Sequence, residues 1–160
     1  MGILLFFGYD RKLRSANKDN INFFSFDGKK ITAKVVDIYD GDTITVVFRD
    51  GGRLIKHRVR LIGYDSPEMK PLLSHPNRQT EIARAKEAKL AITEHIFNQL
   101  VTMECHQFDK YGRLLATIHT RNKLIQRLIP CSSPSININE WMISNGYGIP
   151  YDGGTKNKPA

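Results

Sequence analysis

The chain has 160 residues, 41% hydrophobic and 25% charged, which excludes low-complexity, collagenous and compositionally disordered chains and suffices for one packed core rather than two. Lysine and arginine outnumber aspartate and glutamate by 24 to 16, and the resulting charge of +8 favours a polyanionic partner, nucleic acid ahead of an anionic membrane surface. The longest apolar run near the start, Ile3–Phe7, falls far short of the ~20 residues of a membrane span and lacks the flanks of a cleaved signal, and Cys105 and Cys131 make no disulfide framework, so an intracellular, reducing location off the membrane is expected.

Residues 1–30 show no sustained periodicity and read as a lead-in, in which Phe23-Phe24-Ser25-Phe26 could pack as a short edge segment. Ile31–Ile38 is rich in β-branched residues and runs into Asp40-Gly41-Asp42, a turn signal, after which Thr43–Phe48 resumes strand character. Arg49-Asp50-Gly51-Gly52 predicts a second hairpin turn, because glycine supplies the positive φ such turns demand. Leu54–Ile62 then alternates, with Lys56, Arg58 and Arg60 on one side and Ile55, His57, Val59 and Leu61 on the other.

Three prolines between Tyr64 and Arg78 predict a long loop, and Gln79–Asn98 a helix with the apolar stripe Ala85, Ala88, Ile92 and Ile96. Val101–Phe108 reads as a fourth strand, Asp109–Gly112 as a tight turn and Arg113–Thr120 as a fifth strand. Pro130–Ser135 reads as a loop, and Asn137–Asn145 as a short helix capped by Asn137 or Asn139 and stopped by Gly146. The pattern predicts an α+β, mainly β fold: a five-stranded OB-like barrel with one long helix after strand 3 and a short C-terminal helix. The barrel domain is expected over residues 31–152, with a polar tail over 153–160.

Asp40-Gly41-Asp42-Thr43 and Asp65-Ser66-Pro67-Glu68 place four carboxylates in two turns that an intervening hairpin would bring together. Hard oxygen donors of this kind suit Ca²⁺, while the histidines show no ligand spacing that would suit zinc. Either segment alone is an ordinary turn sequence. Arg60, on the strand leading into the second turn, and Arg113, just past a turn, add guanidinium forks. A cation and such forks on one phosphate are what phosphoryl transfer requires. Lys56 and Arg58 share the parity of Arg60 and read as a solvated face.

Ile38–Thr43, Val59–Glu68 and Asp109-Lys110-Tyr111-Gly112-Arg113 resemble, in order, the three signature segments of the staphylococcal nuclease family. The resemblance covers roughly residues 31–151 and implies an SNase-like OB barrel. It also implies a Ca²⁺-dependent nuclease that hydrolyses DNA, RNA or both and leaves 5′-hydroxyl and 3′-phosphate ends. By the same resemblance Asp42 and Asp65 would ligate Ca²⁺ through carboxylates and Thr43 through its backbone carbonyl, with Asp40 as a supporting acid. Glu68 would be the general base, and Arg60 and Arg113 would bind the scissile phosphate. Lys110, Tyr111, Tyr147 and Tyr151 would bind the nucleotide, the last two offset by a residue or two from the family pattern. Ser66 stands where the best-known member has threonine, and residues 120–138 are longer than the hairpin expected there. Trp141-Met142-Ile143 followed by Asn145–Gly154 resembles homologues carried by large DNA viruses, which implies an infected cell as one setting. A monomer is expected, and the alternative to catalysis is a non-catalytic OB-fold module that binds nucleic acid or protein.

Overall fold

The computed structural model describes residues 11–121 and 135–152. The apolar run Ile3–Phe7, the expected loop at 130–134, Cys131 and the polar tail from Gly153 lie outside the described residues.

Strands β1 (Lys30–Ile38), β2 (Thr43–Asp50) and β3 (Arg53–Leu61) form an antiparallel meander. Gly51 and Gly52 make the two-residue β2–β3 turn, with φ of +52° and +85°, the left-handed pair that matches the twist of a tight hairpin. Helix α1 (Arg78–Ile96) follows, then β5 (Leu100–Phe108) and β6 (Leu114–Arg121), after the short strand β4 (Gly63–Asp65) that precedes the helix. β5 pairs with β1 and with β6, both antiparallel. The last residues of β3 reach across to β6 in parallel, Val59 opposite Leu114, Arg60 opposite Leu115 and Leu61 opposite Ala116, and this closes a five-stranded barrel. The expected mainly β barrel with a long helix after the third strand is therefore the observed architecture.

Alternation decides what fills the barrel. Val35, Ile44, Val46, Val59, Leu61, Met103, Leu114, Ala116 and Ile118 point inward and are all but completely buried. The predicted stripe of α1, Ala85, Ala88, Ile92 and Ile96, is buried as well, joined by Ala91, and its alanines let the helix lie close to the barrel. Phe26, from the lead-in, is 1% exposed and meets Phe48 edge-to-face at 5.3 Å, so this segment contributes to the core without becoming a strand.

Helix α2 (Ile138–Ser144) is capped by Asn137, whose side chain accepts from the backbone N–H of Asn139 and Glu140. Asn139 has a different task, described below. Three short strands, β4 among them, are not foreseen by the sequence pattern. β7 (Ser135–Asn137) extends the sheet beside β6, and β8 (Ile149–Tyr151) pairs with β4 where an uninterrupted loop was expected. Three-residue strands show too little alternation to be read locally, and Pro150 argues against a strand unless the strand lies at an edge, as β8 does. No helix among the described residues is long and apolar enough to cross a membrane.

Candidate active site

The acidic turn between β1 and β2 is built from its own backbone. Asp40 Oδ1 accepts from the N–H of Asp42 at 3.1 Å and of Thr43 at 2.7 Å, the local bond pattern that makes aspartate a turn former. Burial pushes the Asp40 carboxyl above its ordinary range, against the opposing pull of the Thr43 bonds and of Arg60 and Arg113. Gly41 is required here by space: a Cβ would stand 2.7 Å from Ser66 Cβ and 3.0 Å from Ala88 Cβ. The turn is thus wedged between the Asp65–Glu68 loop and α1, so the two acidic segments meet.

Asp42 is buried at 3% exposure, and both of its carboxylate oxygens have partners. Its Oδ1 accepts from the Thr43 hydroxyl at 3.0 Å and pairs with Arg60 Nη1, and its Oδ2 accepts from the Ser66 N–H at 2.9 Å. Arg60 Nη2 donates to Asp65 Oδ1 at 2.7 Å and to the Tyr64 carbonyl at 3.3 Å. One guanidinium therefore holds both aspartates, the forked geometry that a lysine could not reproduce.

Arg113 joins the same network from the residue just before β6. Its Nη1 donates to the Thr43 hydroxyl at 3.3 Å, while Asp109 holds the Arg113 N–H at 2.9 Å and its Nε at 2.7 Å. Burial raises the Asp109 carboxyl, but the bonds from Arg113 and from the Tyr111 N–H outweigh it and hold the group below its ordinary range. Asp109, Arg113, Thr43, Asp42, Arg60 and Asp65 thus form one unbroken chain of contacts. In the sequence Asp109 opens both a turn and the third signature segment, with no role of its own assigned. Its position four residues before Arg113 was the available signal.

Lys110 and Tyr111 project from the turn beside Arg113. The Tyr111 ring is exposed, with Lys110 Nζ 5.1 Å and Arg113 Cζ 5.6 Å from its centroid. Glu68 is exposed, its backbone N–H bonded to Glu81 Oε1 at 2.9 Å. It borders a cavity of about 1420 Å³ with Asp65, Tyr147 and Tyr151, so Asp65 belongs both to the guanidinium network and to this cavity. Tyr147 stacks on Trp141 at 5.7 Å, and Tyr151 also lines a smaller cavity of about 620 Å³ with Arg60.

Among the described residues no group of three or more His, Cys, Asp and Glu side chains is placed to hold a metal ion. The Thr43 carbonyl accepts from Tyr39 N–H at 2.9 Å and Asp40 N–H at 3.3 Å, which fixes its place in the acidic turn. Asp42 and Asp65 remain as hard oxygen donors converging on a shared positive centre, now Arg60. That donor pair fits an oxygen-loving divalent cation completed by carbonyls and water.

Residues 58–159 match the family model described as staphylococcal nuclease homologue. Among curated proteins, the chain is 29% identical over 137 residues to the protein named Probable endonuclease LCL3 of Coccidioides posadasii, covering 74% of this chain and 42% of that one. It is 27% identical over 119 residues to Probable endonuclease lcl3 of Talaromyces marneffei, covering 62% and 33%. To the protein of the same name from Emericella nidulans it is 28% identical over 131 residues, covering 69% and 45%. The chain spans less than half the length of these relatives.

Proposed function

The chain belongs to the staphylococcal nuclease homologue family, and from that membership we propose that it is a Ca²⁺-dependent phosphodiesterase that hydrolyses nucleic acid to 5′-hydroxyl and 3′-phosphate ends. The observation that carries this reading is the pairing of Asp42 and Asp65 through Arg60, with Arg113 joined to them by Thr43. Two guanidiniums beside two carboxylates provide for anchoring a phosphate and for holding a cation on it.

Asp42 and Asp65 are the residues that would hold Ca²⁺, with Asp40 supporting them through the turn. Bound there, the ion supplies neutralisation of phosphate charge and a place for water. Glu68 takes a proton from the attacking water, whose oxygen bonds to phosphorus as the bond to the 5′-oxygen breaks. The departing 5′-oxygen takes a proton from solvent. Arg60 and Arg113 bind the equatorial oxygens, on which charge grows in the transition state. Lys110 and Tyr111 border the strand near Arg113, and Tyr147 and Tyr151 offer faces on which a base stacks. Names of relatives that carry the word endonuclease agree with this reading.

The test is incubation with single-stranded DNA, double-stranded DNA and RNA, in Ca²⁺ or in a chelator, beside Glu68→Gln. Cleavage that needs Ca²⁺ and falls about a hundredfold or more in the variant is expected, in line with loss of a general base. Retardation without cleavage, equal in both proteins, would show a binding module instead.

A further inference from the structure

Two basic side chains beside the site are not used by the chemistry above. Lys56 and Arg58 precede Arg60 by four and two residues on β3, and alternate strand residues share a face, so all three stand outside the barrel while His57, Val59 and Leu61 point in. The register agrees: Lys56 lies opposite Val47, Arg58 opposite Thr45 and Arg60 opposite Thr43. Lys34 of β1 faces Val47 from the other side and is exposed. Lys56 and Arg58 are exposed, and neither side chain makes an ion pair or hydrogen bond among the described residues. The acid nearest in these rows, Asp37, faces Thr45 from β1 and so stands two strands from Arg58, about 10 Å by strand spacing.

From Arg60, which is paired with Asp42 and Asp65, the unpaired cations Arg58 and Lys56 follow at alternate strand positions, ~6.6 Å apart, comparable with the separation of successive phosphates on an extended single strand. The line ends at Arg60. The edge beside it is open as well, because β6 pairs with β3 only at Val59–Leu61 and leaves residues 53–58 without a strand on that side among the described residues. A row one side chain wide grips one backbone rather than the two of a duplex.

The geometry points to a phosphate track on the outer face of β3, in which Arg58 and then Lys56, flanked by Lys34, hold the two phosphates next to the one at Arg60 on a single-stranded polynucleotide. This rests on the phosphodiesterase reading for the place of the scissile phosphate, but binding along the track does not require cleavage.

The experiment measures affinity of the full chain for a labelled 12-nucleotide single-stranded DNA, in chelator, across a range of salt, for wild type, Lys56→Thr/Arg58→Thr and the off-track control Lys12→Ala/Lys86→Ala. Thermal melts check that all three fold. Two lost phosphate contacts on a single strand are expected to lower the slope of log affinity against log salt by about 1.4, with the control unchanged. In Ca²⁺ the track variant should show a raised KM for the 12-mer, with kcat and the KM for a dinucleotide unaltered. A slope equal to wild type, a loss matched by the control, or no binding by wild type overturns the track; the first would mean that the charges only keep the edge from pairing with other strands. A slope lost in the variant with no substrate cut by wild type leaves the track standing and removes the nuclease reading.

Discussion

The buried hydroxyl of Tyr64 donates to the carbonyl oxygen of Gly41 at 2.6 Å, tying β4 to the acidic turn 23 residues earlier. Burial pushes the phenol far above its ordinary range, with a small opposing pull from Arg60, so it remains a donor at any working pH. Tyr64→Phe leaves the Gly41 carbonyl without its partner and is expected to cost about 1–3 kcal/mol, read by urea denaturation. Asp42 follows Gly41 directly, so activity should fall as well. Full activity in a destabilised variant would show that the bond serves stability alone.

Gly41 is tolerated only without a side chain. In Gly41→Ala the new methyl would press on Ser66 and Ala88 at 2.7 and 3.0 Å, and overpacking of this kind costs about 1–3 kcal/mol. Adding Ala88→Gly removes one of the two collisions. Glycine inside α1 has its own cost of about 1 kcal/mol, so the double variant is expected to lose less stability than the sum of Gly41→Ala and Ala88→Gly alone, and strict additivity would place the strain wholly at Ser66.

The residues that repeat were the ones legible in the sequence. Alternation along β3, the stripe of α1, the Gly51-Gly52 turn and the Asn137 cap each rest on a local rule, and each is where the rule puts it. Contacts between distant segments carry no such mark. Asn139 was a candidate cap, yet it is buried and spends its amide on the barrel seam, accepting from the Ile118 N–H at 3.0 Å and donating to the Ile62 and Ala116 carbonyls at 2.8 and 3.1 Å. Pairing of β4 with β8 and the place of Phe26 are equally non-local. The acids of the site lie in short turn signals, but Arg60 lies on β3 and Arg113 just past a turn, and what joined them as a set in the sequence was the resemblance of three ordered segments to one family. Their connection, Arg60 shared by two aspartates and Thr43 joining Arg113, depends on the closed barrel.

Asp109 gives the site a pH dependence of known sign. Its carboxyl lies below the ordinary carboxylate range, so its pairing with Arg113 stabilises the fold above the ordinary value and is lost as pH falls through the lowered one. Asp109→Asn keeps an oxygen for the Tyr111 and Arg113 N–H groups but removes the charge. Wild type is expected to be the more stable at neutral pH, with the two proteins converging in acid, as urea denaturation across pH would read. A difference that persists below the lowered value would mean that the amide disturbs the turn itself.

Arg60 and a bound cation would draw on the same carboxylate oxygens, since Arg60 already pairs with Asp42 and Asp65. Arg60→Lys keeps one positive charge but offers a single ammonium where two nitrogens span two acids. Activity is expected to fall about a hundredfold or more, the scale of losing a transition-state donor, with stability less affected. Arg60→Gln removes the charge and leaves Asp42, its side chain 4% exposed, without its ionic partner, at a cost of about 3 kcal/mol. Two carboxylates released from a guanidinium attract a divalent ion more strongly, so Ca²⁺ should raise the melting temperature of Arg60→Gln more than that of wild type. A Ca²⁺ shift no larger in the variant, measured at matched metal concentration, would separate Asp42 and Asp65 from metal binding while leaving their pairing with Arg60 intact.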